Sequence, residues 1–198
     1  MTSSKIILAS ASPRRSELLS QVGIKFDIVP SNIPEDPLDG ETPAEHVTRL
    51  ASQKASEVAG KSEPGKWVIG SDTVVIIDGE ILGKPLDERH AITMLRKLSG
   101  REHKVVTGYS IINSSGGEET KRAVETTVKF KVLTDDEIKG YVDSGEPMDK
   151  AGAYAIQGLG SFMVEGIIGS YSNVVGLPVC QIVNDLEALG AVKLFSKA

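Results

Sequence analysis

Two charged residues, Asp72 and Lys54, lie in stretches whose apolar residues are expected to be buried. Asp72 stands in WVIGSDTVVII, among residues that a buried strand would enclose. A buried carboxylate is costly unless it is paired, hydrogen-bonded or bound to a metal, so Asp72 is a candidate general base or metal ligand. The alternative is a structural carboxylate that bonds its own backbone at a strand bulge marked by Gly70.

Three lysines are the next candidates for chemistry. Lys54 falls on the apolar stripe of a predicted helix, beside Val47 and Leu50, and this placement alone favours a side chain that snorkels outward along its stem. Lys84 follows a predicted strand, and Lys150 lies in a glycine-rich segment. Taken singly, each of these two indicates solvated surface; taken together with nearby arginines, they could supply a polyphosphate pocket.

The stretch SASPRRSELL is predicted to open a helix, with Ser12 as the N-cap and Pro13 as the first helical residue. Arg14 and Arg15 then lie in the first turn, where the backbone N–H groups already carry partial positive charge and disfavour cations. An anion bound at this helix terminus would remove the repulsion. The pattern therefore predicts a phosphate-binding end of the helix.

The bulk composition limits the classes of function. The chain has 198 residues, of which 40% are hydrophobic, enough for one core or for two lobes that share one. A net charge of −5 and 5% aromatic residues argue against a nucleic-acid partner. The single cysteine, Cys180, excludes an intramolecular disulfide, and its helical context indicates a small buried thiol. No apolar run is long enough to span a membrane, so we expect a cytoplasmic protein without a membrane partner.

Motifs of other enzyme classes do not occur in the sequence. It has no Walker A pattern, no G-x-G-x-x-G after a strand and no G-x-S-x-G. The three histidines lack the spacing of zinc ligands. A hard metal ion held by carboxylates and substrate phosphates remains compatible with the sequence.

Apolar runs alternate with helical patterns along the chain, which predicts an α/β fold with a mixed, partly antiparallel sheet and flanking helices. Asp78-Gly79 predicts a hairpin turn between two strands. Capping residues predict three helix starts, at Thr42, Asp87 and Thr134. Alternation in RAVETTVKFKVL predicts that one strand face carries Val124, Val128, Phe130 and Val132.

Five stretches, in order along the chain, resemble the Maf family of nucleoside triphosphate pyrophosphatases: LASASPRRSELL, RLASQKA, VIGSDTVV, LGKP and DKAGAYAIQG. The resemblance implies a single domain over residues 1–198, with two lobes around a cleft and a fold similar to that of inosine triphosphate pyrophosphatases. It also implies hydrolysis of a nucleoside triphosphate to the monophosphate and pyrophosphate, with a divalent cation, Mg²⁺ or Mn²⁺, and a homodimer.

By motif position, the resemblance makes Asp72 the catalytic base that activates water and, with Glu35, a metal ligand. Around the substrate it places Ser10, Arg14, Arg15, Lys54, Lys84 and Lys150. Arg15, Thr73 and Gln157 match the positions that mark the dTTP and UTP branch of the family. The choice of Gln157 is chemically reasonable, because a side-chain amide can both donate to and accept from a pyrimidine edge.

We therefore expect a house-cleaning hydrolase of acid anhydrides that acts on dTTP and UTP, and on modified pyrimidine triphosphates. One alternative is the same reaction on a modified purine such as 7-methyl-GTP, although that branch carries a different sequence at KAGAYAIQG. The other alternative is a nucleotide-binding regulator of septum formation and cell division. A regulator of this kind would require a degraded site, whereas each expected polar residue is present.

Overall fold

The computed structural model describes residues 5–117 and 119–195. The helices in these ranges are α1 (Pro13–Gln21), α2 (Pro43–Ala59), α3 (Glu88–Leu98), α4 (Asp135–Asp143), α5 (Tyr171–Val175) and α6 (Val179–Ala188). Short 3₁₀ turns cover Glu146–Asp149, Ala151–Ala153 and Gly158–Met163. None of the helices formed by these described residues combines the length and apolar character that a membrane span needs.

One mixed sheet contains all the strands: β1 (Ile6–Leu8), β2 (Phe26–Ile28), β3 (Trp67–Ile77), β4 (Glu80–Leu82), β5 (Glu102–Asn113), β6 (Glu119–Phe130) and β7 (Val164–Ile168). The strand order is β2-β1-β3-β5-β6-β7, and β4 pairs with β3 off this path. β1 is parallel to both β2 and β3, whereas the β3–β4 and β6–β7 pairs are antiparallel. The predicted α/β class, with a partly antiparallel sheet and flanking helices, is confirmed.

The chain divides into two compact units. Unit 1 contains the residues up to Asp72, then Thr107–Val124 and the chain from Gly176 onward, and unit 2 contains Thr73–Val106 and Glu125–Val175. A core cluster of unit 1 comprises Ile7, Ala9, Ala55, Val58, Ala59 and Val68. The larger cluster of unit 2 gathers side chains from α3, α4, β5 and β6. The interpretation of the whole chain as one domain of two lobes stays a prediction.

Helix α2 lies unusually close to two strands of unit 1. A Cβ atom at Gly70 on β3 would lie 2.1 Å from the carbonyl oxygen of Ala51, and one at Gly108 on β5 would lie 2.4 Å from that of Val47. Glycine is required where two backbones approach this closely. Gly70 therefore marks the contact of a helix with a strand.

Local signals in the sequence were mostly accurate. Thr42 and Thr134 each form a complete capping box, and Asp87 accepts a hydrogen bond from the backbone N–H of His90. The Asp78-Gly79 hairpin is also confirmed, with φ values of 55° and 77°.

Two expectations about local structure were wrong, and one helix was missed. Val132 is 77% exposed, because β6 ends at Phe130 and the alternation of faces ends with it. Cys180 is exposed rather than buried, because it lies one turn before Asn184 on the exposed face of α6. Helix α5 (Tyr171–Val175) was not predicted, since its few residues offer no helical repeat.

Candidate functional site

A buried ion pair joins α2 to β3 in unit 1. The Lys54 Nζ atom lies 2.7 Å from Asp72 Oδ1 and 2.6 Å from Glu35 Oε1. Lys54 and Asp72 are 7% and 8% exposed, whereas the side chain of Glu35 is half exposed. The close approach of α2 at Gly70 places the lysine head beside the carboxylate, so the snorkelling interpretation of Lys54 is wrong. The pair satisfies two charges that would each be costly to bury alone.

Arg15 is held by three acceptors in unit 1. Its Nε atom donates to the carbonyl oxygen of Gly176 at 2.8 Å, and its Nη1 atom donates to that of Ser71 at 2.8 Å and to Ser10 Oγ at 3.2 Å. Burial lowers the pKa of Arg15, and the nearby carboxylate of Asp72 partly opposes this effect. The guanidinium group is therefore fixed next to the strand that carries the candidate base.

Ser71 and Gly176 contribute to this arrangement, and the sequence did not reveal them. The hydroxyl of Ser71 is fully buried and lies 3.0 Å from the carbonyl oxygen of Gly108 and 3.1 Å from that of Gly176. These contacts connect the residue before Asp72 to β5 and to the segment that leads into α6. A serine in a buried strand is common, so its only distinguishing signal was its place next to Asp72.

The start of α1 differs from the starts of the other capped helices. Ser12 occupies the N-cap position, as predicted, but its side chain makes no capping hydrogen bond, and the first turn contains no acidic residue. Arg14 and Arg15 are both half-buried in that turn. Two arginines beside a helix N-terminus are residues that can bind a phosphate chain, but the guanidinium group of Arg15 already donates to the carbonyl oxygens of Ser71 and Gly176.

Arg49, from the RLASQKA motif, ties down the loop that carries Glu35. Its Nε and Nη2 atoms donate to the two carboxylate oxygens of Glu41 at 2.6 and 2.9 Å, and Nη2 also donates to the carbonyl oxygen of Asp36 at 3.0 Å. The hydrogen bonds from Arg49 lower the pKa of Glu41 to about 2. The residue after Glu35 is thus anchored to α2, a role that the motif did not disclose.

Two of the predicted lysines belong to unit 2, on adjoining segments. Lys84 is exposed directly after β4, and the Nζ atom of Lys150 donates to the carbonyl oxygen of Glu146 at 2.9 Å. The backbone N–H of Gly152 donates to the carbonyl oxygen of Gly83 at 3.0 Å, which joins the two segments.

Thr73 and Gln157 also belong to unit 2. Both residues are half-buried; Thr73 follows Asp72 on β3, and Gln157 precedes the 3₁₀ turn Gly158–Met163. The roles of these two residues and of the two lysines stay predictions.

The carboxylates of Glu35 and Asp72 suit a hard divalent cation. Both approach the same ammonium group, that of Lys54, and therefore lie close enough to each other to act on one ion. Within the described residues no three His, Cys, Asp or Glu side chains form a metal cluster, so further ligands would have to be water and substrate oxygens. Mg²⁺ is typically held in this way, by one or two carboxylates and by phosphate oxygens.

Comparison with known proteins gives the family of this chain. The family model described as Maf-like protein matches residues 5–189. The dTTP/UTP pyrophosphatase of Syntrophotalea carbinolica is 57% identical over 194 residues, which cover 98% of this chain and 88% of that protein. The one of Geobacter sulfurreducens is 54% identical over 192 residues, which cover 97% of this chain and 100% of that protein.

A solved structure has a more distant likeness to the chain. It is the nucleoside-triphosphatase, or dITP/XTP pyrophosphatase, of Mycobacterium abscessus, with 16% identity, a TM-score of 0.43, and coverage of 94% of this chain and 96% of that chain. We base no inference on a likeness of this size. The family match and the two close relatives confirm the resemblance carried by the motifs: the chain belongs to the Maf family.

Proposed function

We propose that this protein is a nucleoside triphosphate pyrophosphatase that hydrolyses dTTP and UTP to the monophosphate and pyrophosphate. Relatives that are more than half identical to it over nearly the whole chain are named dTTP/UTP pyrophosphatases. The observation that carries the proposal is the buried Asp72 carboxylate, held 2.7 Å from the ammonium of Lys54. The proposed base and the proposed phosphate-binding cation are therefore in direct contact.

Phosphoryl transfer asks a protein mainly for positioning and charge neutralisation. In the proposed reaction, Asp72 accepts a proton from the attacking water, while the anhydride bond that links pyrophosphate to the nucleoside monophosphate breaks. Lys54, Ser10, Arg14 and the N–H groups of α1 bind the phosphate oxygens. Arg15, fixed by its carbonyl acceptors, keeps positive charge beside the carboxylate throughout.

A divalent cation, Mg²⁺ or Mn²⁺, would be held by Glu35 and Asp72. When bound, it supplies charge neutralisation at the phosphate oxygens. The ammonium of Lys54 lies beside both carboxylates and offsets part of their negative charge. The anchoring of the Glu35 loop by Arg49 keeps that carboxylate within reach of Asp72.

The remaining assignments follow from the family motifs. We assign Lys84 and Lys150 to the phosphates, and Thr73 and Gln157 to recognition of a pyrimidine nucleotide. We also propose that the chain acts as a single domain, forms a homodimer and works in the cytoplasm. Light scattering of the purified protein tests the dimer.

The decisive experiment is a pyrophosphate-release assay on a panel of triphosphates. The panel contains dTTP, UTP, modified pyrimidine triphosphates, 7-methyl-GTP and ordinary purine triphosphates, each with Mg²⁺, Mn²⁺ or a chelator. We expect turnover of dTTP and UTP with either metal and its loss with the chelator. Absence of turnover of both pyrimidine triphosphates under every metal condition would overturn the proposal, and preference for 7-methyl-GTP would move it to the other branch.

A further inference from the structure

The segment DSGEPMDKAGAYAIQG contains an acid that the proposed function does not use. Glu146 lies near the end of α4 and begins the 3₁₀ turn Glu146–Asp149. We propose that Glu146 is a positioning residue for base selection, because its carboxylate fixes the segment that carries Gln157. This inference rests on the role in base recognition that the proposed function gives to Gln157.

The carboxylate of Glu146 receives three hydrogen bonds within unit 2. Its Oε2 atom accepts from the backbone N–H of Leu159 at 3.1 Å, and its Oε1 atom accepts from that of Gly160 at 3.1 Å and from the Tyr141 hydroxyl at 3.0 Å. Burial raises the pKa of Glu146, but these hydrogen bonds outweigh that effect and the pKa is lowered overall. Hydrogen bonds to an ionised acceptor are stronger than neutral ones, so the two backbone groups are firmly held.

The Tyr141 hydroxyl extends the same support to the other side of Gln157. It accepts a hydrogen bond from the backbone N–H of Ala155 at 3.3 Å while it donates to Glu146. The chain is therefore held two residues before Gln157 through the phenol, and two to three residues after it through the carboxylate. We call this pair, Tyr141 and Glu146, the loop clamp.

Two glycines let the backbone of the held segment pack against the loop clamp. Gly158 has a φ of +68°, and a Cβ atom there would lie 2.8 Å from Glu146 Oε2. A Cβ atom at Gly160 would lie 2.4 Å from the carbonyl oxygen of Ala155. Glycine at both positions lets the chain close around the carboxylate, with Gln157 at the start of the closed turn.

A fixed backbone matters here because an amide side chain can pair with more than one base edge. Gln157 offers a donor and an acceptor on the same group, so a displaced backbone would bring a different one of the two within reach of a base edge. A site rejects the wrong base only when its polar groups cannot move to satisfy it. The loop clamp supplies that rigidity without contacting the base, which makes its two members positioning residues and not catalytic ones.

The test uses Glu146→Gln and Tyr141→Phe in the full chain, with Glu137→Gln as the matched control. Glu137 is an acid of unit 2 in the capping box of α4, and glutamine is tolerated at that position of a capping box. The readouts are kcat/KM for dTTP, UTP, ATP and GTP, and inhibition by inorganic pyrophosphate, which has no base. Thermal unfolding of each variant records whether it folds.

We expect the ratio of kcat/KM for dTTP and UTP to kcat/KM for ATP and GTP to fall about tenfold in Glu146→Gln. The reason is that a displacement of about 1 Å can cost up to about a hundredfold in rate. Tyr141→Phe should show a smaller fall in the same direction, and Glu137→Gln should keep the wild-type preference. Inhibition by pyrophosphate should be unchanged in all three, because the hydrogen bond from Lys150 goes to the backbone carbonyl of Glu146.

Wild-type preference in both folded clamp variants would overturn the inference. Equal loss of activity on all triphosphates together with weaker pyrophosphate inhibition would also overturn it, because Glu146 would then support the fold in general. The proposed function fails separately, when the wild type itself releases no pyrophosphate from dTTP or UTP. If Glu146→Gln does not fold, Tyr141→Phe decides the question.

Discussion

Two aspartates of unit 1 are equally buried and differently partnered. Asp72 and Asp185 are each 8% exposed. The carboxylate of Asp185 accepts from the Tyr109 hydroxyl at 2.6 Å and from Arg122 Nε and Nη2 at 2.8 and 2.9 Å. Asp72 is paired with the ammonium of Lys54, which it shares with the half-exposed Glu35.

The difference shows why burial alone does not identify a catalytic acid. A guanidinium group that binds through two nitrogens is a rigid planar partner, and the phenol of Tyr109, whose pKa burial raises, donates its only proton. An ammonium group is a compact charge on a flexible stem, and it can turn from one oxygen to another. Asp185 is thus held in one place by saturated contacts, while the partner of Asp72 can move to a phosphate.

The largest effect should come from Asp72→Asn, which replaces the aspartate with fewer hydrogen bonds to its carboxylate by a neutral amide. We expect Asp72→Asn to lower kcat for dTTP by about 10²- to 10⁴-fold, the usual contribution of a general base, with nucleotide binding largely retained. Pyrophosphate release and equilibrium binding of dTTP measure the two quantities. Asp185→Asn is the matched control and should keep kcat close to that of the wild type. Near-normal turnover of Asp72→Asn would remove Asp72 as the base and erase the distinction between the two acids.

Lys54 and Arg122, the cations that pair with these two aspartates, should also differ in their effect on activity. Lys54→Met is expected to lower kcat/KM for dTTP by about a hundredfold, because a preorganised positive charge at the reacting phosphates is lost. Arg122→Met, at the partner of Asp185, should leave kcat/KM near the wild-type value. Steady-state kinetics at saturating Mg²⁺ measure both. Similar losses in the two variants would contradict the idea that only one of these pairs takes part in the reaction.

A stability measurement should also detect the contacts of Asp185. Asp185→Asn leaves the buried Tyr109 hydroxyl and the guanidinium of Arg122 without their charged acceptor. The side chain of Arg122 is 57% exposed, so water compensates part of the loss, and we expect the free energy of unfolding to fall by about 2 kcal/mol. Urea unfolding followed by circular dichroism measures it. An unchanged free energy of unfolding in Asp185→Asn would contradict a structural role for these contacts.

The smallest expected effect is a dependence on pH. Burial raises the pKa of Asp185, but the hydrogen bonds from Arg122 and Tyr109 outweigh it, so the folded-state pKa is lowered. An acid with a lowered folded-state pKa contributes stability above its unfolded value, about 4, and loses it as the pH falls through the folded value. The stability difference between wild type and Asp185→Asn should be constant between pH 5 and 7 and shrink below about pH 4. A constant difference down to pH 2.5 would contradict a charge-based role.

The sequence predicted Asp72 because a carboxylate in a continuous apolar strand is anomalous. It did not predict Asp185, which follows Asn184 in a helix where polar residues alternate normally with apolar ones. The partners of Asp185 come from β5 and β6, and no local spacing announces a contact between such distant segments. The capping boxes and the hairpin are set by local patterns and were predictable.

The same limit applies to two residues that hold loops in place, one in each unit. Arg49 and Glu146 stand inside recognisable motifs, but several of their partners are backbone groups that become neighbours only after folding. Backbone groups are present at every position, so the sequence carries no mark of which one a side chain will bind. The positions of the motifs were predictable, whereas the contacts that individual residues make within them were not.

Gly70 connects the packing of α2 to the position of Lys54 beside Asp72, and this connection has a consequence for genetic screens. A methyl group there would meet the backbone of α2 and push the helix outward, away from β3. Lys54 is carried by that helix, so its ammonium would withdraw from Asp72 although neither charged residue had changed. In a screen for loss of function, substitutions of Gly70 would therefore be grouped with substitutions of Lys54 and Asp72.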